Sequence, residues 1–363
     1  MSRHRMLAVV PPIAAVVFSL LVSAIVLTVS GANPFEAAGN VFEYGTRANT
    51  LVETLNWATP LYLSAVAVAI GFRMNLFNIG VEGQYILAAF MAAQVGAVVN
   101  LPPVLHVGLI ILTAMVVGAF WSGLAGVMKV TRNVHEVIST IMLNGIAVGG
   151  IVSYLLGVWD VPDAGLDTAL GTIPESGWFP SLSPLLAAVG IETRSRLWGF
   201  VIVAVVVGFA YHFMINRTRL GFDLRASGSN PSAAEASGVD PKRMIVTAMV
   251  LSGLVAGLVG LPQLLGDTHA YSLRFTQGLG FAGIAVALLG RNHAGGIAIA
   301  ALLFGWLSRA SGVLEVRGDA PREIVSIIQG VIILSVVVAY SVAERYRRIE
   351  AARAAAALVG EER

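Results

Sequence analysis

The chain of 363 residues contains no cysteine. That excludes a disulfide, a thiolate metal site and a cysteine nucleophile, and it leaves the redox compartment open. Charge is scarce as well. Only 12% of residues are Asp, Glu, Lys or Arg, against about 25% in ordinary soluble domains, while 56% are hydrophobic. There is no basic arm and no basic–aromatic interleaving, so nucleic acid is not an expected partner. No Gly-x-x-x-x-Gly-Lys-Ser/Thr loop occurs, so the chain is not its own P-loop ATPase. His-Glu-x-x-His, Gly-x-Ser-x-Gly and a catalytically spaced carboxylate pair within one helix are missing too. The sequence therefore offers no catalytic residues and no metal ligands, although an intramembrane enzyme is not formally excluded.

What the chain has is apolar length. Long apolar runs fall at 7–29, 107–128, 134–156, 197–215, 244–265 and 323–342, and shorter ones at 59–72, 85–99, 279–290 and 295–308. The reading is an all-α, polytopic membrane protein with about ten crossings, its first span uncleaved because the run is too long for a signal-peptide core. The polar stretch 33–56 is expected as an interfacial helical segment outside the bilayer. Lys and Arg concentrate on the side that would hold both termini, which places N- and C-termini in the cytoplasm and the acidic insert 157–196 outside. A transmembrane domain over 1–343 and a cytoplasmic, Ala-rich tail over 344–363 follow.

Runs of about 12–14 residues are too short to cross about 30 Å as straight helices. They read as broken or re-entrant segments buried against protein. One lies around 75–84 in the first half, another at 279–308 in the second. Paired interruptions of this kind point to an inverted repeat with a pathway between the halves.

In NLFNIGVEGQ, residues 75–84, the polar side chains Asn75, Asn78, Glu82 and Gln84 are crowded between apolar runs. A carboxylate at membrane depth costs at least about 2.5 kcal/mol on insertion scales, so Glu82 needs a cavity or a partner. One reading is a substrate pathway or gate lining. The local alternative is that Glu82 complements its own helix dipole or pairs with Arg73. Asn144 interrupts another apolar helix and either touches solute or, more commonly for buried amides, bonds a neighbouring helix. His135 and Glu136 beside Arg132 read either as a metal or proton site or, more commonly for such a charge run, as a solvated charge cluster. Gln263, Asp267, His269, Arg274 and Gln277 form either an outer gate or a hydrated loop.

The basic connection 216–243 is water-compatible and carries one short helix at 230–237. Asn230 suits the N-cap, Pro231 the first turn and Gly238 the C-terminal stop. A structured basic helix outside the bilayer suggests a docking site.

Four stretches carry a family resemblance: GFRMNLFNIGVEGQYILAAF (71–90), HEVISTIMLN (135–144), LRASGSNPSAAEASGV (224–239) and GIAVALLGRN (283–292). Together they resemble the permease subunit of bacterial ABC importers, in the nucleoside or basic-membrane-protein-associated branch, related to ribose and branched-chain amino acid permeases. The resemblance implies a type II importer fold in the bacterial cytoplasmic (inner) membrane. It also implies a second, different permease chain, ATP-binding subunits that use ATP and Mg, and an extracytoplasmic solute-binding protein. No cofactor is then bound by this chain itself. The family's coupling helix maps onto 230–237, so Arg225, Gly228, Asn230, Pro231, Ala233, Ala234, Glu235 and Gly238 become the ATPase-coupling residues. The expected function is import of a small polar solute, a nucleoside first, a simple sugar or branched-chain amino acid second. An ion-coupled secondary transporter is the competing class, and it would make Glu82 essential.

Overall fold

The computed structural model describes residues 17–19, 21–29, 31–159 and 168–317, with 327, 330, 331, 334, 335 and 338 singly. The basic start at 1–5, most of the run 323–342, the tail 344–363 and Asp160, Asp163 and Asp167 lie outside the described residues. Among the described residues the fold is helical, and extended pairing is limited to two isolated bridges, Ala169 with Ser272 and Ser181 with Trp198.

Among the described residues seven helices are long and apolar enough to cross a membrane, or up to eight if the bent pair Val17–Val29 and Pro34–Gly45 is one span. The expected ten is not reached among the described residues. Leu279–Leu289 has only 11 residues, about half a bilayer crossing.

Two compact units divide the chain, Leu51–Gly305 and the combination of Met1–Thr50 with Trp306–Arg363. In the smaller unit Asn33 caps the helix Pro34–Gly45. Trp306 donates its indole N–H to the Gly45 carbonyl at 3.0 Å. Leu27, Ala37, Val313 and Leu314 bury one another.

The larger unit is built around the helix Val81–Val98. Past the polar first turn with Glu82 and Gln84 its side chains are mostly apolar or small, and thirteen of its residues are buried, including Tyr85 and Phe90. A helix of this composition is stable only when surrounded. Phe90 stacks on Trp159 at 5.6 Å and meets the edge of Tyr271 at 5.4 Å. The helices Pro103–Arg132 and Pro241–Gly257 approach at backbone distance. A Cβ on Gly253 would lie 2.2 Å from the Gly118 carbonyl, and one on Gly257 would lie 2.1 Å from that of Ala114. Gly253 and Gly257 are spaced as the small residues of close-packed membrane helices are.

Two expectations are corrected. The polar stretch 33–56 is not a single interfacial segment, because Ala48–Phe72 is one helix of 25 residues with Pro60 inside it. Its polar residues are satisfied at one end: Asn56 donates to the Arg196 carbonyl at 2.7 Å and accepts from the Trp198 N–H at 2.9 Å, while Ser195 donates to Glu53. The connection 216–243 likewise carries more structure than one short helix. Arg219–Ser229 is helical, with Thr218 capping the Gly221 N–H and with Gly221, Leu224 and Ser227 buried along one side.

Candidate functional site

The segment 73–84 turns between Ala48–Phe72 and Val81–Val98 and holds most of the sequence-predicted pathway residues. Asn75 sits in the left-handed region, φ 55°, which a short polar side chain tolerates better than most. Asn78 is buried and fully engaged. Its amide donates to the Ser252 hydroxyl at 2.8 Å and exchanges bonds with Gln84 at 3.1 and 2.9 Å, and its oxygen accepts from the Gly80 N–H at 3.1 Å. Ser252 passes the chain on to the Ala67 carbonyl at 2.6 Å. Every one of these partners is internal, so this knot locks the packed helices together.

Glu82 is 6% exposed and stands in the first turn of its helix. The carboxylate accepts from the N–H of Gly278 at 2.6 Å and of Gly280 at 2.8 Å, and from the Tyr85 hydroxyl at 3.2 Å. It therefore caps the helix Leu279–Leu289, whose first N–H groups lack partners within that helix. The pair with Arg73 considered above is not formed. Arg73 instead donates to the Asn292 carbonyl at 2.5 Å and to the Tyr211 hydroxyl at 3.3 Å. Asn144 accepts from the Gly83 N–H at 2.9 Å and donates to the Ile79 carbonyl at 3.0 Å. Both functions of its amide are thereby used on the turn.

The turns at 73–75 and 290–292 are alike: each follows a helix, each contains Arg and Asn, and Asn75, Arg291 and Asn292 all have positive φ. The Arg73 bond to Asn292 ties one turn to the other.

The coupling candidates lie beside this region. Asn230 caps Pro231–Ala236 through the Ala233 N–H at 3.1 Å, and Gly238, φ 82°, ends it. Pro231, Ala233 and Glu235 are exposed, while Ala234 is 3% exposed and anchors the helix. Arg225 points back and donates to the Ile215 carbonyl at the end of Phe200–Arg217, so its guanidinium is engaged within the chain. Gly228 is packed on the first turn: a Cβ there would lie 2.7 Å from the Arg73 carbonyl and 2.8 Å from Met74 Cα. Asn75 donates its amide to the Gly228 carbonyl at 3.0 Å. Thus the pathway candidates and the coupling candidates meet at one pair, Asn75 and Gly228.

Elsewhere, Lys129 and Glu136 form an ion pair at 2.5 Å with His135 at 3.6 Å. Among the described residues no cluster of His, Asp and Glu is arranged to hold a metal. Of the outer cluster, His269 stacks on Trp178 at 3.9 Å. Burial, with the Arg196 charge, pushes its imidazole below the usual value. Residues not singled out from sequence include Ser122, Ser252 and Tyr85, and Phe222, which is 58% exposed in the helix just before Pro231–Ala236. An exposed Phe in a polar connection was the available signal.

A family profile described as "Branched-chain amino acid transport system / permease component" matches residues 50–337. The chain belongs to this permease family. It is a transport subunit of the ABC class, a multi-pass membrane protein and not the ATPase itself. It is 36% identical over 343 residues to the guanosine ABC transporter permease NupP of Bacillus subtilis, covering 91% of this chain and 93% of the relative. It is 33% identical to the glucose ABC transporter permease TsgB13 of Haloferax volcanii, over 89% of this chain and 85% of the relative. Against the nucleoside permease NupB of Lactococcus lactis the figure is 30%, over 96% of each permease. No solved structure matches the chain.

Proposed function

We propose that this permease forms the membrane pathway of an ATP-driven importer for a nucleoside. It sits in a bacterial cytoplasmic membrane with both termini inside, beside a second, different permease chain. ATP and Mg are used by a separate ATP-binding subunit, and an extracytoplasmic binding protein delivers the solute. The names of the guanosine and nucleoside permeases above support the solute class. The glucose permease at 33% identity supports a sugar as the second reading.

The observation that carries the coupling assignment is the Asn75–Gly228 contact. Pro231–Ala236 is short, capped and exposed, as a docking element must be, and Phe222 adds an apolar anchor beside it. Displacement of these helices by the ATPase would be passed through Gly228 to the turn 73–75. From there Arg73 reaches Asn292 and Glu82 reaches Gly278, so both halves of the permease would respond to one movement. Allosteric coupling requires contacts that differ between two states, and these are the contacts assigned to differ.

The test is reconstitution of the whole assembly in vesicles with its binding protein. Nucleoside is expected to stimulate ATP hydrolysis and ATP-dependent uptake, with glucose a poor competitor. Gradient-driven uptake by this chain alone would overturn the reading.

A further inference from the structure

Ala48–Phe72, Phe200–Arg217 and Ala294–Ala310 leave a groove of about 480 Å³ between them, its walls formed mainly by Leu55, Val205, Phe209 and Leu302. Thr59, Tyr62 and His212 are the polar side chains that line it. Thr59 already donates to the Leu55 carbonyl at 2.8 Å. The Tyr62 hydroxyl rests against Gly208, where an added Cβ would be only 2.0 Å away. A nucleoside or sugar entering here would give up water without replacement hydrogen bonds, so the groove is unsuited to the transported solute.

The groove's length and charge suit a different ligand. From Val201 to His212 its wall runs about 17 Å at 1.5 Å per residue, close to half of a hydrocarbon core about 30 Å thick. One leaflet's acyl chain has that reach. Past its His212 end the chain turns basic: Arg217 closes the same helix five residues on, and Arg219, paired with Asp223 at 3.8 Å, follows. Ala294 and Gly295 line the same end, and His293 next to them lies 3.4 Å from Arg73. An apolar slot about that long, with the His212 imidazole on its lining and Arg73 and His293 next to that end, is complementary to a lipid with an anionic headgroup.

We infer that this groove binds one acyl chain of an anionic phospholipid, its phosphate held at the His212 and His293 end. The assembled transporter, stripped of lipid and titrated with phosphatidylglycerol or phosphatidylcholine in detergent, is read by native mass spectrometry. One phosphatidylglycerol should be retained about fivefold better than phosphatidylcholine. Ala298→Phe, which fills the groove, should abolish that bound lipid. His212→Glu, at an exposed position, should keep chain binding and erase or reverse the headgroup preference. Equal retention by Ala298→Phe, no headgroup preference in the unaltered protein, or cross-linking from position 298 to the second permease instead of lipid would overturn the inference. These readouts need no transport, so they fail separately from the importer reading.

Discussion

Glu82 and Gly280 are 198 residues apart in the chain, yet the Glu82 carboxylate accepts the Gly280 N–H at 2.8 Å while also accepting that of Gly278. A side chain on the first helix after one turn thus supplies the N-terminal cap of a short helix in the other half. This buried acid has a structural partner, which removes the main reason to assign it an ion-coupling role.

Glu82→Ala leaves two N–H groups without their acceptor and is expected to cost about 2–4 kcal/mol, with Glu82→Gln losing about half as much. Thermal unfolding of the detergent-solubilised transporter measures this. A melt of Glu82→Ala indistinguishable from the parent would show that the cap contributes nothing.

Asn75 combines a left-handed backbone with the bond to Gly228. Asn75→Gly removes the bond without strain, whereas Asn75→Ala removes it and adds about 1–2 kcal/mol of backbone cost. Both variants should lower uptake per ATP hydrolysed by about fivefold, the worth of one hydrogen bond of about 1 kcal/mol. Both should melt earlier, the alanine by more because of its added backbone cost. Full coupling in Asn75→Gly would remove the transmission role.

Gly253→Ala sets a methyl against the Gly118 backbone at 2.2 Å, so the helix pair must separate; a loss of about 3 kcal/mol or more is expected. Gly123→Ala meets only Val250 Cγ2, at 3.2 Å, and should change stability by less than about 1 kcal/mol. Comparable melting losses for the two would contradict backbone-limited packing of this pair.

His269 has its pKa lowered by burial and by Arg196, with Asp267 opposing in part. In the unfolded chain the ring takes up its proton near 6.5. As pH falls below about 6.5 the unfolded state therefore binds the proton that the folded state resists, and stability declines; above that value the contribution is flat. Melts between about pH 5 and 8 should show a shallower acid slope in His269→Asn, which keeps a residue tolerant of φ 51°. An unchanged slope would assign the acid sensitivity elsewhere.

Much of the architecture was legible. Apolar runs marked the long helices because only helices satisfy their own backbone in lipid. Asn230, Pro231 and Gly238 marked the short helix Pro231–Ala236 because capping chemistry is local. The length of Ala48–Phe72 was not legible, since Glu53 and Asn56 look like the end of a span until the 195–198 segment supplies their partners. Arg219–Ser229 was hidden by its glycines and serines, which favour a helix only once one side is buried.

The sequence by itself determined that this is a membrane permease and which short segments carry unusual polarity, since hydropathy, capping and motif order are properties of neighbouring residues. Only the tertiary structure decided what that polarity is for. Asn78 bonds both Gln84 and Ser252, Asn144 holds the turn at 79–83, Glu82 caps a distant helix, and Asn75 meets Gly228. Each of these pairings is chosen by which backbone groups the packed helices bring within about 3 Å, and spacing along the chain carries no record of that.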